Sequence, residues 1–305
     1  MDTQRTILKV APGHGAAAAS LAPEPLLQQV RPATTTVWRG LRELHGLGHV
    51  LYPVRANHRF AKRARFMYRA LTNPAVWQQW RGFLEASPFV KMAQEFPRLY
   101  EKPLRPYLHK DLDHAAILEV LRGHYLFLQR RAPAPFVECL LENGSFPLNE
   151  RSLDGLKHPL HLNLTYARHM QQEGELTLSL GPADSVGTFD HHRWISALTF
   201  VLRPGSSGRE ILIGGIQGGH SENSREDIHL ATQAFHGLRP KHLLIHLLRE
   251  IAAQWGVSHI HAVSDSAHCL TRGRYKGRIK ITSSYDELWR DVGGAFREDG
   301  FYSLP

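Results

Sequence analysis

The sequence predicts an α+β protein in which a helical N-terminal portion is followed by an antiparallel-meander or mixed sheet with helices. Three observations predict it. Apolar residues recur every three to four positions through residues 36–131. From about residue 160 the pattern changes to short β-rich runs separated by Gly and Pro turns. One strongly amphipathic stretch then falls between two of those runs, making a strand–helix–strand unit. Charge follows a similar division. Residues 1–110 hold 17 Lys/Arg against 6 Asp/Glu, a net +11, whereas residues 111–305 hold 20 against 22, a net −2.

Taken in order, residues 1–30 read as a disordered leader, with low-complexity Gly13-His14-Gly15 and Ala16–Ala19 tracts and prolines at 12, 23 and 25. The helical portion, 36–131, carries Val37, Leu41, Leu44, Leu47 and Leu51 on one stripe and Phe60, Ala64, Met67 and Leu71 on a second. Ile117, Val120, Leu121, Tyr125 and Leu128 make a third. Frequent prolines predict several short helices, and Ala132-Pro133-Ala134-Pro135 reads as a break. In the mixed portion, 160–305, strands are expected at His161–Tyr166, Glu175–Leu180, Trp194–Leu202, Glu210–Gln217 and Ser258–Ser264. Helices are expected at Arg225–His236 and Pro240–Trp255, the latter stopped by Gly256. Trp289, Val292 and Phe296 suggest a last short helix before Gly300.

Several function classes are excluded or weakened. Cys139 and Cys269 lie far apart, which argues against a disulfide scaffold and fits a reducing compartment. The most apolar stretch, Leu243 to Ala253, is interrupted by His246, Arg249 and Glu250, so no run is suited to cross a bilayer. The N-terminus lacks the apolar region of a secretory signal. A cytoplasmic protein is expected, with peripheral placement at the inner membrane as the variant. His242 and His246, or His259 and His261, share a face without an acidic or cysteine ligand at a telling spacing, so no metal is expected. Gly214-Gly215-Ile216-Gln217-Gly218-Gly219 lacks both the dinucleotide fingerprint and the P-loop lysine.

Five blocks of sequence carry a resemblance: YARHMQQEGELTLSL from Tyr166, ILIGGIQG from Ile211, HGLRPKHLL from His236, SYDELWRDVGG from Ser284, and the terminal GFYSLP from Gly300. On these the chain resembles the VirK/YbjX family, a bacterial group defined by a domain of unknown function, over roughly residues 40–305. The resemblance implies a context of virulence and envelope stress rather than a reaction.

The element order of the C-terminal portion is similar to that of the acyl-CoA N-acyltransferase (GNAT) fold, which implies a thioester donor, acyl-CoA or an acyl carrier protein. Residues for such a donor can be named. His236, Gly237, Arg239 and Lys241 surround Pro240 at the start of a helix, where unpaired amides and a partial positive charge attract phosphates. This loop has one glycine where the acyltransferase signature has two. Gly214 and Gly215, with Gln217, are placed to offer strand amides to the acyl arm. Glu173 and Glu175, two residues apart and so expected on one face, are candidate general bases, and Tyr285 is a candidate acid for the leaving thiolate. Solvated carboxylates, a simple turn, and capping of the last helix by Asp286 are the structural alternatives.

Residues 55–69 hold Arg55, Arg59, Lys62, Arg63, Arg65 and Arg69 with no acid. Such a segment suits an anionic membrane surface or an acidic carrier protein, nucleic acid being the weaker reading. The alternative is a charged solvent face over an ordinary core stripe. Two functions therefore stand: an acyltransferase acting on an amine or hydroxyl, and a non-enzymatic protein that binds a membrane surface or partner. A single cleft shared by Glu173, Glu175, His236 and Arg239 beside a splayed strand would favour the first.

Overall fold

A computed structural model describes residues 37–53, 58–151, 159–182, 194–205, 208–219, 224–271 and 284–305. The expected leader, 1–30, lies outside the described residues, as does Arg55.

The helical portion consists of α1 (Val37–Leu51), α2 (His58–Thr72), α3 (Pro74–Glu85), α4 (Val90–Glu95), a 3-10 helix (Pro97–Leu104), α5 (His114–Arg130) and α6 (Ala134–Asn143). Local chemistry sets their limits. The side chain of Asp113 accepts from the Ala116 amide at 2.8 Å and caps α5, and Gly144, at φ 69°, ends α6 in the left-handed region. The expected break at 132–135 separates α5 from α6, and α6 begins within it at Ala134, because a proline in the first helical turn has no amide bond to lose. On α2 the buried residues are Phe66 and Ala70, whereas Phe60, Ala64 and Leu71 are exposed. The stripe read from the sequence is therefore not the core face.

The rest of the chain builds one eight-stranded sheet in the order β1-β2-β3-β4-β5-β6-β8-β7. Its strands are β1 (Ser145–Arg151), β2 (Leu160–Tyr166), β3 (Leu176–Pro182), β4 (Ser196–Gly205), β5 (Gly208–Gly218), β6 (His259–Val263), β7 (Ala295–Phe296) and β8 (Phe301–Leu304). Neighbours pair antiparallel except β5 and β6, which run parallel. Between them come α7 (Ser224–Ala234) and α8 (Pro240–Gln254), a parallel pairing that needs a crossover of this length. The first seven residues of β4 are all buried, as expected of a strand covered on both faces, and β4 touches both α5 and α8. A single apolar cluster runs from Leu44 of α1 to Leu304 of β8, so helices and sheet share their core.

The end of the chain departs from expectation. Helix α9 (Tyr285–Asp291) stops before Val292, and Gly293, at φ 83°, turns the chain into the β7–β8 hairpin, so Phe296 is a strand residue. Ser284, rather than Asp286, is the N-cap of α9, accepting from the Glu287 amide at 3.2 Å.

Candidate functional site

Parallel pairing of β5 with β6 ends at Ile213 and Ala262, while β5 continues along β4 to Gly218. Beyond Ile213 the two strands part. The β4–β5 register also shifts here: Thr199 faces Gly215 and Phe200 faces Ile213, which leaves Gly214 as the extra residue of a bulge. Both glycines are required by what presses on them. A β-carbon on Gly214 would overlap the Glu173 carbonyl, and one on Gly215 would overlap Glu173 Oε2 and approach the Tyr285 hydroxyl at 3.2 Å.

Glu173 sits in the turn before β3, its amide donating to the Met170 carbonyl at 2.9 Å. The residue is 5% exposed. Gln217 Nε2 donates to Oε1 at 3.4 Å, and His268 Nε2 lies 3.8 Å from the same oxygen. Among the described residues, neither Glu173 Oε2 nor His268 Nε2 has a well-formed hydrogen bond, although the Gly214 backbone lies against the His268 ring. Burial drives both groups toward neutrality: the Glu173 carboxyl is pushed up to about 8, the Gln217 amide opposing, and the His268 imidazole is pushed down to about 4. Glu175 is not among the causes, so the raised carboxyl arises from desolvation and not from a like-charged neighbour.

Tyr285, the first residue of α9, brings its ring into the same gap. Asp265, just past the end of β6, fixes it by accepting from the Ser284 hydroxyl at 2.8 Å and the Tyr285 amide at 2.9 Å. Burial and then Glu173 hold the Tyr285 phenol well above its ordinary range, so it stays protonated, and its oxygen meets the Ile216 amide. Cys269 completes the surroundings with its thiol pushed upward by burial, which makes it an inert thiol rather than a nucleophile.

Glu175 belongs to a different cluster. It is 0% exposed, and its oxygens are held by Lys102 Nζ at 2.5 Å, the Tyr107 hydroxyl at 2.9 Å and the Tyr125 hydroxyl at 2.5 Å. Lys102 also donates to the Gly174 carbonyl at 3.2 Å, and its ammonium lies 5.2 Å from the Tyr166 ring centre. The 3-10 helix and α5 thus grip the start of β3 through a buried ion pair. The two carboxylates expected to share one face serve separate partners.

The N-terminus of α8 lies at the same end of the sheet as Gly214–Gly218. Arg209, at the start of β5, donates to the Trp255 carbonyl at 2.7 Å, and Ser258 donates to the Arg209 carbonyl at 2.9 Å, which anchors the C-terminus of α8 at the opposite end. His236 and Gly237 take successive left-handed conformations, at φ 54° and 91°. Arg239 is the N-cap, and its own side chain makes no cap hydrogen bond. His236, Gly237 and Arg239 are exposed, whereas Lys241 is partly buried, which lowers its ammonium from the ordinary range. Among the described residues, no hydrogen bond or ion pair joins this loop to Glu173 or Glu175, so the loop and the two carboxylates form three separate groups rather than one shared cluster. Nor, among the described residues, does any group of three His, Cys, Asp or Glu gather that could hold a metal.

The sequence points to Glu173, Gln217, Gly215 and Tyr285, which the structure brings together, and to His268 as a neighbour of Ser264-Asp265-Ser266, whereas His268 in fact faces Glu173. Lys102 was not foreseen. Lys102 has no local signal, since its partner lies 73 residues away.

Comparison with known proteins places these features in a family. Residues 55–305 match the family described as "Protein of unknown function (DUF535)", and the chain belongs to it. It is 30% identical over 251 residues to "Uncharacterized protein YbjX" of Escherichia coli, covering 81% of this chain and 73% of that protein. An "Uncharacterized protein" of Haemophilus influenzae is 28% identical over 50% of this chain and 48% of its own length. "Membrane protein LapB" of Mannheimia haemolytica is 27% identical over 68% of this chain and 84% of its own. No solved structure matches the chain. Among the described residues, no helix is long and apolar enough to cross a membrane.

Proposed function

We propose that this DUF535 protein is an acyltransferase with a GNAT-like sheet, moving an acyl group from a thioester donor, acyl-CoA or an acyl carrier protein, to an amine or hydroxyl of an envelope molecule or peptide. The observation that carries the reading is the gap between β5 and β6, where Glu173 Oε2 and the Tyr285 hydroxyl meet over Gly215, with Glu175, His236 and Arg239 standing apart from this pair rather than sharing its cleft. The positive N-terminal end of α8, with Arg239 and Lys241, fits the phosphates of such a donor. The bound thioester supplies the activated acyl carbon. Glu173, once ionised, takes the proton of the attacking amine or hydroxyl, and Tyr285 returns a proton to the sulfur as the carbon–sulfur bond breaks. Gln217 orients the Glu173 carboxylate. Glu175, held by three donors, positions the start of β3 and is left out of the chemistry.

Calorimetric titration of coenzyme A and acetyl-coenzyme A tests the donor site. Arg239 is exposed, so its loss should spare the fold, and Arg239→Ala should weaken binding roughly tenfold, the worth of one charge-assisted contact. Absence of binding at millimolar ligand, or equal binding by both proteins, removes the coenzyme A assignment.

A second reading is favoured by α2. Phe60, Tyr68 and Leu71 are 74%, 68% and 52% exposed beside exposed Lys62 and Arg65. An apolar stripe flanked by cations suits the surface of an anionic membrane, and on this reading the protein works at the periphery of the inner membrane. The acyltransferase and membrane readings are compatible, since they use different parts of the chain.

A further inference from the structure

A small recess of about 110 Å³ opens between α2, the end of α1 and the 3-10 helix, lined by Tyr52, Lys62, Arg65, Phe66, Arg69, Arg98, Glu101 and Arg105. Its size is far below the ~300–1,000 Å³ of sites that hold drug-sized ligands, and it suits a single tetrahedral anion. Five cations line it against one carboxylate, a formal +4. That carboxylate is already engaged: Glu101 accepts from the Tyr52 hydroxyl at 2.7 Å and from Arg105 at 3.0 Å. Burial and Glu101 push the Tyr52 phenol up to about 12, so it remains a donor. Lys62, Arg65 and Arg98 have no carboxylate partner among the described residues.

Holding five cations around one spent carboxylate costs self-repulsion, which a bound anion relieves. Arginines present forked donors matched to phosphate oxygens. On α2, Lys62, Arg65 and Arg69 share one row of the helix, next to buried Phe66 at the recess, while Phe60, Ala64, Tyr68 and Leu71 form another, directed away from the buried Phe66 and Ala70 and meeting the first row at Arg65 and Tyr68. A freely diffusing anion would leave that apolar row in water.

We propose that this recess binds the phosphomonoester headgroup of an anionic membrane lipid, with the apolar row of α2 entering the interface. The proposal rests on the membrane reading above and adds to it a specific headgroup site.

Co-sedimentation of the full chain with three kinds of vesicle tests it: phosphatidylcholine alone, and phosphatidylcholine mixed with phosphatidylserine or with phosphatidic acid, the last two matched in surface potential. Binding to phosphatidic acid should exceed binding to phosphatidylserine by about tenfold, as one charge-assisted contact requires. Arg98→Ala and Arg65→Ala, both at exposed positions, should each reduce that preference, while Phe60→Ser should weaken binding to both anionic vesicles alike. Equal binding to the two anionic vesicles would overturn the headgroup site and leave the membrane reading standing. Binding to neither would overturn both. A thermal shift with inorganic phosphate that Arg98→Ala abolishes, without vesicle binding, would assign the recess to a free anion and overturn the lipid.

Discussion

Lys102→Ala should lower the free energy of unfolding by about 3–5 kcal/mol, read from urea titration at pH 7. The lysine is one of three donors to a carboxylate with no exposure, and its removal leaves the Glu175 charge buried with two phenols for compensation. Against a total stability of ~5–15 kcal/mol for a folded domain, this is a large share. The double replacement Lys102→Met with Glu175→Leu should recover most of the loss, because an apolar pair removes the desolvation cost along with the attraction. A single variant that lost less than 1 kcal/mol would show that solvent reaches the pair. The consequence reaches beyond stability. Lys102 belongs to the 3-10 helix, Tyr125 to α5, and Glu175 to the entry of β3, two residues from Glu173. The pair therefore ties the helical layer to the turn that carries the candidate base.

Periodicity made much of this fold legible. Stripes of apolar residues marked α1, α5 and α8, and β2 to β6 followed from short β-rich runs bounded by turn residues. What escaped had weak local patterns. The β1 strand lies at the sheet edge and contains Pro147 beside a register shift, a position where the pairing pattern is interrupted. Strands β7 and β8 have two and four residues, too few for alternation to be read. On α2, two apolar rows compete, and spacing alone gives a face without saying which one turns inward. Packing chose Phe66 and Ala70, which exposed Phe60 and Leu71. The site was legible by residue type and illegible in its electrostatics. Glu173 and Glu175 look alike in sequence, yet among the described residues one is left with an unpaired oxygen and the other receives three donors. That difference arises from Lys102, Tyr107 and Tyr125, each at least 50 residues away along the chain.

Glu173→Gln should lower acyl transfer by about 10²–10⁴-fold, the usual worth of a general base, while leaving coenzyme A binding unchanged. Its pH dependence supplies the sharper test. The carboxyl is raised to about 8 by burial, so the basic form is scarce at pH 7 and wild-type turnover should rise through pH 8 before levelling. Stability should move the opposite way. Between the ordinary carboxyl range near pH 4.5 and the raised value near 8, the folded protein keeps a proton that the unfolded chain has released. The folded state therefore binds more protons across that window. Its advantage is complete below the unfolded value, declines as pH rises, and is gone above about 8. Glutamine is neutral at every pH and close to the protonated acid in shape, so the variant should lose this slope and be more stable than the wild type at pH 8–9. Reduced turnover, intact binding and improved alkaline stability in one protein cannot come from a damaged fold. Together they would identify Glu173 as a carboxyl kept neutral at a cost that chemistry recovers. A variant that retains turnover, or a wild-type profile flat across pH 8, would take the base role from Glu173 and leave the gap between β5 and β6 as a packing feature of the sheet.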